Sequence, residues 1–501
     1  MSRSARPVEA GRHLSMLEEM RAEGAIQAPG LADEVVLRFL GGDPSLPLAI
    51  ERAYAHYRDV RSERPALLGL AEDEQVRRVQ AGYVNFYPQD AVNPYVAAGA
   101  AGPWIVTLKG AVIYDCGGYG MLGLGHSPEP VLEVLDHPEV MANIMTANVA
   151  QMRFLERLRA EIGHTRSDRP FEGFLCVNSG SEAVSVASRI ADIGTRELTD
   201  PGGRYAGREV VSLTLRGSFH GRTDRPARHS HSTLPRYREY LASFRDADWL
   251  LTVAPNDLAS LEAVFAEAGE KGYFIEAFFM EPVMGEGNPG QAITPEFYAR
   301  ARELSAAHGT LLLVDSIQAG LRAHGVLSIV DYPGFRDLPP PDMETWSKAL
   351  NGGQYPLSVL GLSGRAMQLY RPGLYGNTMT SNPKALAVAC AVLEQLTPEV
   401  RENIELRGRE LLAGFRELAR ELGDAITKVQ GTGLLASCEL DPRYKCYGAG
   451  STEEYLRRQG LGVIHGGANS LRYTPWFRMT RAEVDLVLEL TRDALVNGPR
   501  R

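Results

Sequence analysis

An α/β fold, with a mostly parallel sheet flanked by helices and a smaller α+β domain beside it, is the architecture this sequence predicts. Two observations carry that prediction. Between about residues 136 and 385, short apolar runs alternate with amphipathic helical stretches, and buried strands separated by helices imply a parallel sheet covered on both faces. After about residue 386, helical pattern in "ALAVACAVLEQL" and "ELLAGFRELARELG" alternates with strand-like "GLLASCEL" and "SLRYTP".

Residues 1–80 are predicted as a helical extension, with Leu14, Leu17 and Met20 at helical spacing and a second periodic stretch in "LADEVVLRFL". Residues 81–135 are predicted as the N-terminal part of the small domain. There "VNFYPQDAVNPYVAAGAAGPW" breaks any helix, and "IVTLKGAVIYD" reads as two strands joined by a Lys-Gly turn. Residues 136–385 form the expected large domain, its strands written in "FEGFLCVN", "EVVSLTLRG", "FIEAFFMEPV", "TLLLVDS", "DMETWSK" and "LSVLGLSG". Residues 386–501 complete the small domain.

Composition narrows the function classes. The 501 residues are 44% apolar and 23% charged, the balance of an ordinary globular chain. A net charge of -9 argues against a general nucleic-acid binder, which needs a basic surface, while a small anion needs only one or two Arg. Cys116, Cys176, Cys390, Cys438 and Cys446 are odd in number and form no CxxC pair, so neither a disulfide framework nor a zinc site is indicated. The start, "MSRSARPVEAGRH", lacks the apolar core of a secretory signal, and no apolar run is long enough to span a bilayer. A cytoplasmic protein without a membrane partner is expected.

Ligands of parallel sheets bind at the carboxyl edge, so the residues after each run matter most. The first run leads into "SGSEAVSVASRIA", where Ser179, Gly180 and Ser181 open a helix whose N–H groups suit a phosphate, although Ser at that point is also an ordinary N-cap. The second ends in "GSFHGRT", placing Phe219 and His220 at the same edge; an aromatic there packs in the core or stacks on a planar ring. The third gives Glu281 and Glu286. The fourth, "LVDSIQAG", gives Asp315 and Gln318, and a buried acid is costly unless something positive meets it.

The fifth, "ETWSKALNGG", places Lys348 before a Gly-rich turn. Of 53 basic residues only six are Lys. Lys109 falls in a predicted turn, Lys271 after a helix end, Lys384 after Pro383, and Lys428 and Lys445 in the C-terminal part. Only Lys348 stands where strands converge. An edge Lys, a carboxylate, a phosphate cradle and an aromatic ring are the components of a pyridoxal 5'-phosphate site. Asp315 would then face a ring N–H⁺.

The wording and order of "VNSGSEA", "SFHGRT", "EPVMGEGN", "LLLVDSIQAGLRAHG", "WSKALNGGQYP" and "GNTMTSNP" resemble the class III (subgroup II) aminotransferases of fold-type I, over roughly residues 95–490. The resemblance implies that Lys348 forms the Schiff base, Asp315 meets the pyridine nitrogen, and Gln318 lies near the ring 3-oxygen. It further implies phosphate contacts from Gly180 and Ser181, ring stacking by Phe219, and Thr378 reaching the phosphate of a neighbouring subunit in an obligate homodimer. In "SLRYTP", Arg472 is similar to the family's substrate-carboxylate Arg. Glu286 matches the acid that pairs with that Arg in several relatives, and Tyr119 stands in an active-site wall. Departures are Ser316 where an acid is usual after the Asp, "RAHG" for "RTG", Met284 for Gln, and Thr380 and Ser381 for Gly.

Two other motifs compete. "GYGMLG", residues 118–123, fits the dinucleotide pattern GxGxxG, but its glycines open no helix and Pro128 intervenes. "HSH", residues 229–231, has metal-ligand residue types without a partner acid and is expected as a solvated loop, with no metal. The expected function is transfer of an amino group from an amino acid or ω-amino acid to a keto acid or aldehyde. A racemase, epimerase or aminomutase on the same frame is the alternative; the complete set of Lys348, Asp315 and Gln318 counts against a binding protein without turnover.

Overall fold

The computed structural model describes residues 5–117, 119–246 and 248–501. Three N-terminal strands, β1 (Ala97–Ala101), β2 (Trp104–Thr107) and β3 (Val112–Asp115), precede seven that build the central sheet. These are β4 (Gly173–Val177), β5 (Glu209–Leu215), β6 (Leu250–Val253), β7 (Tyr273–Met280), β8 (Leu311–Asp315), β9 (Met343–Trp346) and β10 (Ser358–Leu362). Five follow: β11 (Ile426–Thr432), β12 (Leu435–Leu440), β13 (Leu461–Gly462), β14 (Ile464–Gly466) and β15 (Ser470–Tyr473).

The central sheet has the order β4-β10-β9-β8-β7-β5-β6. Only β10 runs against its neighbours, pairing antiparallel with both β9 and β4. Each apolar run named above became one of these strands. β6 was not foreseen, because its four residues are mostly half-buried at the sheet edge and give a weak apolar signal. In the middle, Leu311–Val314 are at most 2% exposed, the continuous burial that parallel strands covered by helices require. The helix Gly180–Thr199 covers one face with Ala183, Val184, Val186, Ala187 and Ile190 against Leu313 and Met343.

A second sheet, β11-β12-β15-β14, is antiparallel throughout. The third joins distant parts of the chain, since β13 pairs in parallel with β3 at Leu461 and Tyr114. Among the described residues no helix is long and apolar enough to cross a membrane.

The extension folds as five helices, Ala5–Arg21, Asp33–Leu40, Ser45–Glu63, Pro65–Leu68 and Glu72–Val79. Leu17, Met20, Val36, Leu46 and Ile50 are buried in one cluster with Trp104 and Val112, so the extension is packed against β2 and β3. A Cβ on Gly99 would stand 2.4 Å from the Ala53 nitrogen, which shows how closely β1 meets the helix Ser45–Glu63. Lys109 locks this junction. It is 1% exposed, and its ammonium donates to the carbonyls of Glu23 and Leu68. Burial pushes its pKa down, opposed by Glu72 and Glu23. Lys109→Ala leaves both carbonyls without their donor, an expected loss of about 1–3 kcal/mol. Thermal unfolding should show the loss, and limited proteolysis should show earlier cleavage between residues 21 and 33.

Candidate active site

Five strands of the central sheet that run in the same direction, with their following loops, bring the predicted residues to one edge, around a cavity of about 280 Å³. That is close to the lower end of small-molecule sites. After β4 come Ser179, Gly180 and Ser181; after β5, Phe219 and His220; at β7, Glu281; at β8, Asp315 with Gln318; after β9, Lys348. A larger cavity of about 560 Å³ lies beside Tyr119 and Tyr95, but its lining carries no Lys.

Ser179 is the N-cap of the helix Gly180–Thr199. Its Oγ accepts from the Glu182 N–H (3.3 Å), and the Glu182 carboxylate accepts from the Ser179 and Asn178 N–H groups (3.0 and 2.7 Å). The cap thus fixes the helix start, and the next N–H groups have no intrahelical partner. Gly180 is required there, since a Cβ would stand 2.4 Å from Ile317 Cδ1. Gly221, at φ +124°, leaves room for Ser181 Oγ in the same way. A small, donor-rich cradle at a helix N-terminus fits a phosphate.

Asp315 is 4% exposed, and its charge is met from within the chain. His220 Nδ1 lies 2.8 Å from Oδ2, and the Ile317 N–H donates to Oδ1 (3.1 Å). His220 Nε2 is in turn 3.2 Å from Thr214 Oγ1. The carboxylate is held still at the cavity, where a ring N–H⁺ would meet it. Beside it, Glu281 accepts from the N–H groups of Phe219 and Gly285 (2.9 and 2.7 Å), and burial pushes its carboxyl up to about 7.

Lys348 is partly buried and starts a 3₁₀ turn with φ +47°, a conformation that costs an ordinary residue on the order of 1–3 kcal/mol. Ser347 Oγ and Asn351 Nδ2 both donate to the Leu357 carbonyl (2.7 and 2.9 Å), bracketing and holding that turn. Burial first and the nearby Arg472 charge second push the amine down to about 8, with Asp315 opposing both. Tyr119, at φ +51°, shares this strained backbone class.

Arg472 on β15 is 3% exposed. Its guanidinium donates to the Gly285 carbonyl and to Gln318 Oε1 (3.3 Å), lies 5.7 Å from the Tyr119 ring centre, and keeps its Nε buried without a partner. Burial lowers its pKa. The Glu286 expectation takes a different form in this chain: its ion partner is Arg222 (3.6 Å), not Arg472. Arg222 also lies over the rings of Phe219 and Phe86 (5.1 and 5.8 Å), which makes it a site residue that the sequence reading passed over although it stands in "SFHGRT".

Thr378 is exposed and does not line its own chain's cavity. The segment before it is tied to the helix start, with Asn377 Nδ2 and Tyr375 Oη donating to Glu182 Oε1 (both 3.0 Å). The "HSH" expectation is corrected. His229 is 2% exposed and stacked on Phe279 at 3.8 Å, with Nε2 3.1 Å from Ser188 Oγ, while His231 Nδ1 accepts from the Gly217 N–H (3.0 Å). Both rings serve packing. Of "GYGMLG", Gly118 lies outside the described residues; the helix beyond it starts only at Glu129, after Pro128.

A cradle for an anion, an acid for a ring nitrogen, an aromatic wall and an amine of lowered pKa fit pyridoxal phosphate, and fold and site together define an enzyme that depends on it. The comparisons make the class specific. The family model "Aminotransferase class-III" matches residues 86–495. An acetylornithine aminotransferase of Xanthomonas axonopodis pv. citri is 33% identical over 316 residues, covering 62% of this chain and 71% of that protein. An ornithine aminotransferase 2 of Staphylococcus aureus is 29% identical over 411 residues, 80% of this chain and 93% of its own. In fold, the ornithine aminotransferase of Toxoplasma gondii ME49 aligns with a TM-score of 0.71 at 23% identity, over 87% of this chain and 98% of that one. The chain belongs to the class III aminotransferases and is a pyridoxal-phosphate-dependent enzyme that moves amino groups.

Proposed function

We propose that this enzyme takes its amino group from an amino acid or ω-amino acid, with Lys348 as covalent anchor of the cofactor and carrier of the transferred proton. The observation that carries this reading is the meeting of Lys348, Asp315 and Gln318 with a buried, partly unpartnered guanidinium at Arg472. Such a guanidinium suits a carboxylate, which it binds bidentately. When bound, pyridoxal phosphate supplies the carbonyl that receives the amino group and a ring that stores the electrons released at the substrate Cα.

In this reading the chain's own residues divide the remaining work. Gly180 and Ser181 would hold the phosphate, Phe219 would stack on the ring, and Asp315, steadied by His220, would keep a proton on the ring nitrogen. Gln318 would contact the ring oxygen. Lys348, with its pKa lowered toward 8, is neutral often enough near neutral pH to take a proton at Nζ and return it. Arg472 orients the donor's carboxylate, with Tyr119 beside it. Arg222 and Glu286 form a salt bridge beside Phe219 that can part for a second carboxylate. Two copies share their sites through Thr378, and the exposed Val140, Met141, Ile144 and Met145 offer an apolar surface for that pairing.

The relatives' names put ornithine and N-acetylornithine first among donors to test. Each is mixed with the cofactor-loaded enzyme without an acceptor, while the cofactor spectrum and product mass are followed. Loss of the visible absorption with release of a keto acid or aldehyde is the expected outcome for at least one amino donor. Substrate that exchanges its α-hydrogen with solvent yet keeps its amino group, across a panel of donors, would replace transamination by racemisation.

A further inference from the structure

Glu344 is unusual for a strand in the middle of a sheet. It is 0% exposed, and among the described residues no cation pairs with it. Four donors hold it instead. Oε1 accepts from Ser316 Oγ (2.6 Å), the Ile329 N–H (3.0 Å) and Trp346 Nε1–H (3.2 Å), and Oε2 accepts from Ser328 Oγ (2.5 Å). A buried acid without a counter-charge is costly, and burial pushes this one up to about 7.

What the four donors have in common is position. Ser316 directly follows Asp315. Ser328 and Ile329 lie midway along the connection, residues 316–342, that leaves β8 at Ser316 and carries Gln318. Trp346 stands two residues before Lys348. β8 and β9 are parallel with Val314 opposite Glu344 and Asp315 opposite Thr345, so Glu344 and Asp315 point to opposite faces of the sheet. The Glu344 carboxylate therefore sits behind the cavity and does not line it. It joins the start and the middle of that connection to the strand that delivers Lys348. A backbone bond from the Ser316 N–H to the Thr345 carbonyl (3.0 Å) continues the β8–β9 pairing beside it.

We propose that Glu344 is a positioning residue for the cofactor site, and that it supplies from β9 the acid that the family's motif usually carries at the place of Ser316. In this chain the two positions are joined by the hydrogen bond from Ser316 Oγ to Glu344 Oε1 (2.6 Å). By this account Ser316 is one half of an exchange, which explains the departure in the D-x-x-Q segment without any change in the chemistry of Asp315. The inference rests on the reading that Asp315, Gln318 and Lys348 form the cofactor site, which Lys348→Ala tests separately through loss of the bound cofactor's visible absorption.

The test compares Glu344→Leu, Glu344→Gln and the exchange variant Ser316→Glu/Glu344→Leu with the unaltered enzyme. Four quantities are read: thermal unfolding of the cofactor-free protein, the dissociation constant of pyridoxal phosphate, kcat apart from KM, and the pH midpoint of the bound cofactor's visible absorption. Glu344→Leu should weaken cofactor binding and lower kcat by about tenfold or more, the effect of a small misplacement at the site, and should move the pH midpoint. Glu344→Gln keeps the shape and one acceptor and should fall between. The exchange variant should return binding and kcat to within about threefold of the starting enzyme, because the two changes are strongly coupled. A Glu344→Leu enzyme that melts earlier but keeps its cofactor affinity, kcat and pH midpoint would show a purely structural role and overturn the proposal. So would an exchange variant no better than Glu344→Leu, including the case in which neither folds.

Discussion

Lys348→Ala abolishes the visible absorption of the bound cofactor and, with it, turnover. Five other Lys residues exist, and none lines the cavity. Lys109 is buried against backbone carbonyls, Lys384 donates to the carbonyls of Leu135 and His137, and Lys428 reaches Asn288. No other amine can therefore take over the covalent anchor. The proton transfer alone is expected to account for about 10²–10⁴-fold of the lost rate, and loss of the anchor adds to it. Alanine keeps the Cβ, and with it the same backbone strain at φ +47°, while it removes a buried amine, so the cofactor-free protein should melt close to the parent. Absorption and turnover that survive in Lys348→Ala would dismiss the site assignment.

The same amine carries a pH prediction. Burial and Arg472 lower its pKa to about 8 from an ordinary value of about 10.4, so the neutral form becomes dominant as pH rises through 8. In the cofactor-free protein, acylation of Lys348 followed by peptide mass should rise with a midpoint near that pH. Arg472→Gln removes a positive neighbour, favours the protonated amine, and should move the midpoint upward. A midpoint at the ordinary lysine value would mean that the amine is not held in the environment described.

Much of this site was legible in the sequence because it depends on residues that must follow buried strands. The end of an apolar run is visible without coordinates, and an acid or amine placed there is conspicuous. In this way "LLLVDS" pointed to Asp315 and "DMETWSK" to Lys348. What was not legible depends on pairing across space. Nothing in the order of residues shows that β10 runs backwards between β4 and β9, since strand direction is set by connections and not by composition. His220 was placed at the edge, but that it meets Asp315 follows only from the adjacency of the ends of β5 and β8 around β7. Glu344 looked like one acid in a strand; its meaning required Ser316, Ser328 and Trp346 to be brought to it. His229 misled for the same reason: the expected loop residue ends the helix Asp224–His229 and is covered by Phe279 from β7.

Asp315→Asn separates holding the cofactor from activating it. The carboxylate accepts from His220 Nδ1 and from the Ile317 N–H, one on each oxygen. An amide of the same shape has one acceptor; with its NH₂ toward His220, the imidazole must give up its Nδ1–H and take the other tautomer, so the pair is less firmly placed. More important is the charge. A carboxylate within about 4–6 Å favours the protonated ring nitrogen by about 1–3 pKa units, and a neutral amide withdraws that support. An unprotonated ring is a poor store for the electrons released when the Cα–H bond breaks. The cofactor should remain bound, because Lys348, the helix start at Gly180 and the Phe219 face are all unchanged. The kcat for amino transfer should fall by roughly 10²-fold or more, with the donor's KM little altered, since Arg472 and Tyr119 still hold the carboxylate. Exchange of the substrate's α-hydrogen with solvent should slow in the same proportion, because both report removal of that proton. An enzyme that loses its cofactor on Asp315→Asn would make Asp315 a binding residue first, and one that exchanges the α-hydrogen at the normal rate would leave the ring nitrogen without a role for Asp315.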